Sequence, residues 1–402
     1  MDDSQLIRRR KIILWCGVVL SFFTSMSKIL VPGPIVGDLK ALGFDDVALS
    51  YLAFGYYCAY ALSQLALGVY SIRWGGVRLL LFGGSCFVAG SLLFPLSDSY
   101  WVMFAARVLT GLGAGTLFPG LAKLISDLYT KRFALVFSVV MFLGYLGPIC
   151  GRVPVLQLVK LVKWRWALET IALSSLAVFA VLVFSSRGAM KPVMSGNSFA
   201  TLRKVFGSGR NLLIFMASSV VYGAYYVLPV VAGQECLTRS GMSKYAAEYL
   251  LTGLAVMIAL GNLATILLLR LFRERRKLLL IFAGACGLAG GLLGAAAFQW
   301  NLPRYAVMTA FALVAVPACF FSLQSMIVRE LNPPELAGPS ISMLNFCAFL
   351  LIMACQPAAG IIIQRSGAAL VAYRNMFVFF VALEAIGIAC AAFVPETRPK
   401  RN

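Results

Sequence analysis

A chain of 402 residues that is 61% hydrophobic and only 12% charged, with a mean hydropathy of +0.88, carries too little polar surface for a water-soluble domain and reads as a polytopic membrane protein. The net charge of +20 does not mark a nucleic-acid binder, because the basic residues fall in short groups between apolar runs and form no aromatic-interleaved surface. Histidine is absent, and the ten cysteines are scattered, with only Cys236 in an expected loop. That leaves no zinc set, no histidine relay and no disulfide framework, and neither a metal nor a cofactor is expected.

In chain order, Arg8-Arg9-Arg10-Lys11 leads into an apolar run of full spanning length with no small-residue cleavage pattern behind it, so the first span is expected to be retained. Runs of about 20 residues, the length that crosses a bilayer as a helix, predict twelve transmembrane helices at 12–33, 48–71, 77–97, 101–128, 133–158, 165–185, 211–232, 246–270, 278–299, 304–328, 339–363 and 373–394. The expected fold class is therefore an all-α membrane protein. Alternate connections starting with the N-terminus hold 22 Lys and Arg, the others nine, and four lie within spans. By the positive-inside rule both termini are expected in the cytoplasm, with the chain in the cell (inner) membrane.

The first span has a polar stripe of Ser21, Thr24, Ser25 and Lys28. A Lys in a span either lines a wet cavity or reaches for the outer interface, and both readings stay open here. Tyr57, Tyr60 and Gln64 share one face of the second span. In the fourth span Arg107, Gly111, Gly115 and Phe118 recur at helical spacing, so a cation and a Gly-xxx-Gly pair share a face suited to close contact with another helix. Arg152 in the fifth span lies at a depth comparable to Arg107 and reads either as a third inward cation or as a rim charge beside Lys160, Lys163 and Arg165. No carboxylate occurs at that depth in the first five spans. Lys28, Arg107 and Arg152 therefore form a candidate site for an anionic substrate, held by charge-assisted hydrogen bonds.

The polar segment 186–210 reads as a cytoplasmic linker between an N-terminal six-helix bundle, 1–185, and a C-terminal one, 211–402. A weak repeat supports the division, since Pro148-x-x-Gly151 is echoed by Pro357-x-x-Gly360. Two such bundles are the usual frame of an alternating-access carrier. In the second half, Tyr222 and Tyr225 on one face of the seventh span, Gln324 in the tenth and Asn345 in the eleventh are further candidate substrate ligands. Each tyrosine also fits plain packing. Candidate coupling carboxylates are Glu169, Glu248 and Glu384, the last in the middle of the twelfth span, where an acid is either paired or kept protonated by desolvation. Arg73, Arg78 and Asp127 form a candidate cytoplasmic gate, alongside a purely topological reading of the arginines.

The stretch Arg107, Gly111, Gly113, Ala114 resembles the fourth helix of the major facilitator superfamily. The connection with Gly68, Arg73, Gly75 and Arg78 is similar to the family's loop signature, with Ile72 where the family has Asp. Gly144, Gly147-Pro148 and Gly151 resemble its fifth-helix motif, with Arg152 in place of the last Gly. Trp164-Arg165-Trp166, Pro333 to Gly338 and Pro395 to Arg398 are similar to its sixth-helix, eleventh-helix and C-terminal features. The resemblance implies a secondary carrier of a small molecule, expected as a monomer and driven by protons, a cation or exchange. Helix four, from Arg107 to Phe118-Pro119, is similar to that of the family's organic-anion symporters, with Ala114 where those place a Glu. An organic-anion carrier is the first reading. A proton-coupled exporter of drugs or metabolites, suggested by Gly147-Pro148, and a non-transporting sensor on a carrier fold are the alternatives. Enzymatic chemistry is not expected, because the spans hold no nucleophile with an acid–base pair.

Overall fold

The computed structural model describes residues 3–129, 133–190, 203–272 and 275–397. Among them the chain is all helix. Apolar backbone without water must satisfy its own N–H and C=O groups, and a helix does so within one segment. Ten helices among the described residues are long and apolar enough to cross a membrane. The predicted second and fifth spans are not among the ten.

The helices divide into two compact units, Met1–Leu42 with Gly55–Phe199, and Gly43–Phe54 with Ala200–Asn402. The first unit is built around α1 (Asp3–Leu30). A short helix, α2 (Val36–Ala41), follows. Next comes α3 (Asp46–Leu93), which is interrupted at Gly75, φ 72° and ψ 157°. Only glycine enters that region without strain, so this residue lets the second and third predicted spans reverse with almost no loop. The unit continues with α4 (Tyr100–Leu128) and α5 (Phe133–Cys150). It closes with α6 (Val153–Ser186), itself interrupted at Lys163, φ 65° and ψ 156°. Ile13, Leu14 and Leu20 of α1 pack with Leu80 and Phe87 of α3, Leu117 and Leu121 of α4 and Leu182 of α6 into one apolar core.

The second unit holds α7 (Gly209–Val231), opened by the Ser208 hydroxyl accepting the Asn211 amide, then α8 (Gly233–Arg239) and α9 (Lys244–Leu271). After α10 (Arg276–Gln299) the tenth predicted span appears in three pieces: α11 (Arg304–Ala315), a 3-10 turn (Val316–Phe320) and α12 (Phe321–Leu331). The last two helices are α13 (Pro334–Arg365) and α14 (Ala369–Phe393). Phe298 of α10, Phe311 of α11 and Phe377 of α14 form an aromatic core, with Phe377 at 6.1 Å from Phe298 and 5.9 Å from Phe311. The segment Gly43–Phe54 is held in this unit by Ser50, which packs on Gly360, and by Gln364 donating to Asp45 at 3.1 Å.

Three expectations are corrected. The fifth span is not continuous to 158: its helix ends at Cys150, the chain breaks at Gly151–Arg152, where Arg152 leaves helical geometry, and a new helix starts at Val153. The tenth span is not one helix, for the reason given below. Cys236 is not in a loop but fully buried in α8.

Candidate functional site

Three glycines on α4 set the geometry of the first unit. A Cβ on Gly111 would fall onto the Tyr56 carbonyl of α3, and one on Gly115 would overlap Ser63 and approach the Tyr60 carbonyl within 2.9 Å. Gly113 packs on the other arm of α3, at Gly83 and Phe87. The close approach predicted for the Arg107, Gly111, Gly115 face is thus made against α3, and it brings Arg107 over the Tyr56 ring, 4.5 Å from its centroid. Arg107 is 2% exposed, and its Nη1 donates to the Ser27 carbonyl at 3.1 Å and to the Ser27 hydroxyl at 3.3 Å. Tyr56 is itself anchored, its hydroxyl donating to the Thr24 carbonyl at 3.2 Å.

One turn along α3, Tyr60 carries the second cation, with Lys28 Nζ 5.1 Å from its ring centroid. The two rings lie 6.3 Å apart at an interplanar angle of 30°. Two tyrosines spaced i, i+4 therefore present two cations on adjacent aromatic faces, each a favourable cation–π contact. Gly151 packs against Met26 and Ile29, which brings the neighbouring Arg152 beside the last turn of α1, the turn that carries Lys28. Arg152 sits at the α5–α6 break and is 2% exposed.

The other sequence candidates of this unit have structural contacts. Tyr57 is fully buried with its ring edge-on to Tyr56 at 5.3 Å. Gln64 donates to the Gly115 carbonyl at 2.6 Å, tying α3 to α4. Sequence reading singled out Tyr57, whereas Tyr56 lies under the arginine. The i, i+4 spacing to Tyr60 was the available signal. Ser27, whose carbonyl and hydroxyl both meet Arg107, carried no sequence signal.

In the second unit the Tyr222 ring packs at a tilt against Phe321 at 4.5 Å and Tyr226 at 4.9 Å, while Tyr225 meets Tyr226 edge-on at 5.4 Å. Gln324, one turn beyond Phe321, is 1% exposed and neither amide atom has a hydrogen-bond partner among the described residues. Asn345 is 6% exposed and its Oδ1 is likewise unsatisfied. Buried amides left this way are sites where water or a ligand group fits.

The interruption of the tenth span has a clear physical origin. Pro317 lacks a backbone donor, and Asn262 of α9 bridges the backbone pair of the next turn: its Nδ2 donates to the Ala318 carbonyl at 3.0 Å, and its Oδ1 accepts the Ser322 amide at 3.2 Å and hydroxyl at 3.0 Å. The Thr265 hydroxyl donates to the Cys319 carbonyl at 3.3 Å. Non-helical backbone at membrane depth is tolerated only with such partners.

Of the coupling candidates, Glu248 is fully buried and accepts from Gln234 of α8 at 2.9 Å. Glu169 is partly exposed on α6, and Glu384 on α14 is 1% exposed. Of the gate candidates, Asp127 pairs with Lys123 of its own helix at 3.4 Å, and Arg78 is partly buried. The side chains of Arg73 and Ile72, together with Lys131, Arg132 and residues 191–202 of the linker, lie outside the described residues.

Long apolar helices, one of them interrupted and braced by side chains, define an integral membrane protein. The Major Facilitator Superfamily model matches residues 13–354, and the chain belongs to that family. Members carry small solutes. The chain is 26% identical over 373 residues to the inner membrane transport protein YajR of Escherichia coli, covering 87% of this chain and 77% of that one. It is 26% identical over 276 residues to the 4-hydroxybenzoate transporter PcaK of Pseudomonas aeruginosa, covering 65% and 59%. Some other curated relatives, including the MFS-type transporter ppz2 of Metarhizium majus, are matched over only about a third of their own length, 31% in that case. The structure of a D-xylose-proton symporter aligns with a TM-score of 0.72 over 97% of both chains at 16% identity, a likeness of fold.

Proposed function

We propose that the protein is a secondary active transporter of a small organic anion, working by alternating access through twelve transmembrane helices, with N-terminal (1–185) and C-terminal (211–402) bundles joined by the cytoplasmic linker 186–210. Both termini lie in the cytoplasm and the chain sits in the inner membrane. The observation that carries this reading is the pair of cations on neighbouring tyrosine rings, Arg107 on Tyr56 and Lys28 on Tyr60. Such a wall offers a carboxylate two charged donors and a planar solute two aromatic faces. Arg152, beside the Lys28 turn, adds a third positive charge. The relative that transports 4-hydroxybenzoate, an aromatic carboxylate, supports the same substrate class. In the second half Tyr222, Tyr225, Gln324 and Asn345 remain further candidate solute ligands.

The test is uptake of labelled 4-hydroxybenzoate and other small carboxylates into proteoliposomes, beside a sugar and an amino acid as controls. Arg107→Ala and Lys28→Ala are expected to lower anion uptake about tenfold or more each, the loss of one charge-assisted hydrogen bond. Arg107→Lys keeps the charge and restores part of it. Wild-type uptake and affinity in both alanine variants would sink the anion site.

Export of drug-like molecules is the second reading. It is favoured by the tight packing of Gly147-Pro148 on α1, where a Cβ at Gly147 would come within 2.8 Å of the Met26 amide. A susceptibility screen in a pump-deficient strain separates the two, since an anion importer changes no resistance.

A further inference from the structure

One acid is used neither by the cation pair nor by the cytoplasmic end. Glu384 lies in the middle of α14, 1% exposed, and neither carboxyl oxygen has a hydrogen-bond partner among the described residues. The glycines around it define its walls. A Cβ on Gly287 of α10 would come within 2.9 Å of Glu384 Cδ, 3.0 Å of its Oε1 and 3.0 Å of Pro317 Cγ. One turn along α14, Gly387 packs on Val220 and Val221 of α7. The carboxyl is therefore enclosed where α14, α10 and the 3-10 turn meet, with α7 alongside.

The titratable groups of these elements are engaged elsewhere or belong to other levels. Arg276 pairs with Glu330 at 2.8 Å, the Lys277 amide donates to Glu396, Arg374 donates to Gln299 and Asn375, and Arg210 and Arg304 stand at helix starts. The Cys319 thiol donates to the Met257 and Ala315 carbonyls, and the rings of Tyr222, Tyr225 and Tyr373 pack against other aromatics. Cys286, the neighbour of Gly287, and Cys390 are free thiols that make no hydrogen bond to Glu384.

An ionised carboxylate sealed in this way would have no donor, whereas the carboxylic acid is tolerated far better. The acid can ionise only when water reaches it, which requires one wall to move. The wall without regular α-helical hydrogen bonding is the 3-10 turn, which contains Pro317. Its backbone is held by side chains of α9, Asn262 and Thr265, and not by the regular helical ladder alone.

We propose that Glu384 is a proton-binding site of the transporter, holding its proton while the interrupted tenth span closes over it and passing it to water when that segment swings away. The proposal rests on the chain being a transporter, and not on its cargo being an anion.

The experiment uses the full-length protein in phosphatidylcholine proteoliposomes, treated with dicyclohexylcarbodiimide, which modifies protonated carboxyls in apolar surroundings. Modification of the Glu384 peptide is read by mass spectrometry across a pH series. The expected result is modification at neutral pH that declines as pH rises. A proton titration of wild type against Glu384→Gln, the neutral isostere, is expected to differ by a single reversible proton per chain. Absence of modification, modification indifferent to pH, or identical titrations would each overturn the proposal and leave Glu384 as a permanently neutral packing group. Neither measurement uses a transported solute, so a failure here leaves the anion reading standing, and the reverse.

Discussion

Replacing Gly111 with alanine tests the contact on which the cation pair depends. The new methyl would fall onto the Tyr56 carbonyl oxygen and within 2.8 Å and 2.9 Å of its carbonyl carbon and Cα. These are backbone atoms of a packed helix, so no side-chain rotation relieves the overlap and α4 must move away from α3. Overpacking of this kind costs up to about 3 kcal/mol, offset by about 1 kcal/mol of helix propensity gained on replacing glycine. The net expectation is a loss of about 2 kcal/mol, seen as a thermal transition lowered by several degrees in detergent. Gly144 of α5 provides the control, since among the described residues a Cβ there meets only the Ser21 and Ser25 hydroxyls, at 3.9 Å. Gly144→Ala should therefore be neutral or slightly stabilising. The assay is scanning fluorimetry of both variants in parallel with size-exclusion profiles. If Gly111→Ala melts with or above wild type, α4 does not approach α3 as described, and the placement of Arg107 on Tyr56 goes with it.

Two further expectations concern backbone irregularities. Lys163 is exposed and holds φ 65°, ψ 156°, a region only glycine occupies freely; Lys163→Gly should stabilise the protein by about 1 kcal/mol, and a lowered melting temperature would show that the α6 interruption is not strained. Asn262→Ala should cost about 2–3 kcal/mol by leaving the Ala318 carbonyl and Ser322 amide without their side-chain partner. Asn262→Asp, which keeps the acceptor for Ser322, should recover part of that loss, and equal melting of the two variants would contradict the brace.

Much of the molecule was legible in the chain itself. Hydropathy alone assigns it to the membrane, because nearly two thirds of its residues are apolar and arranged in spanning runs. The Arg107, Gly111, Gly115 spacing identified a close-contact face, and that contact is made. Lys28 and Arg107 stood out because a cation inside an apolar run needs a reason. What the sequence left open follows from two physical limits. Neighbouring residues on a helix point about 100° apart, and reading the face of Tyr57, Tyr60 and Gln64 did not reveal that the adjacent Tyr56 is the ring that meets an arginine on another helix. Hydropathy is also blind to backbone hydrogen bonding, so the tenth span read as one helix even though it contains Pro317.

The sequence by itself determined the class of protein and the face of α4 suited to close contact, since both depend on composition and on period along one segment. Only the tertiary structure decided that Tyr56 and Tyr60 carry the two cations, that Arg152 is buried at the α5–α6 break, that Asn262 sustains the interruption of the tenth span, and that Glu384 is enclosed beside it. Each of these depends on which residue of a distant helix arrives opposite, and that is settled by how whole helices pack against one another.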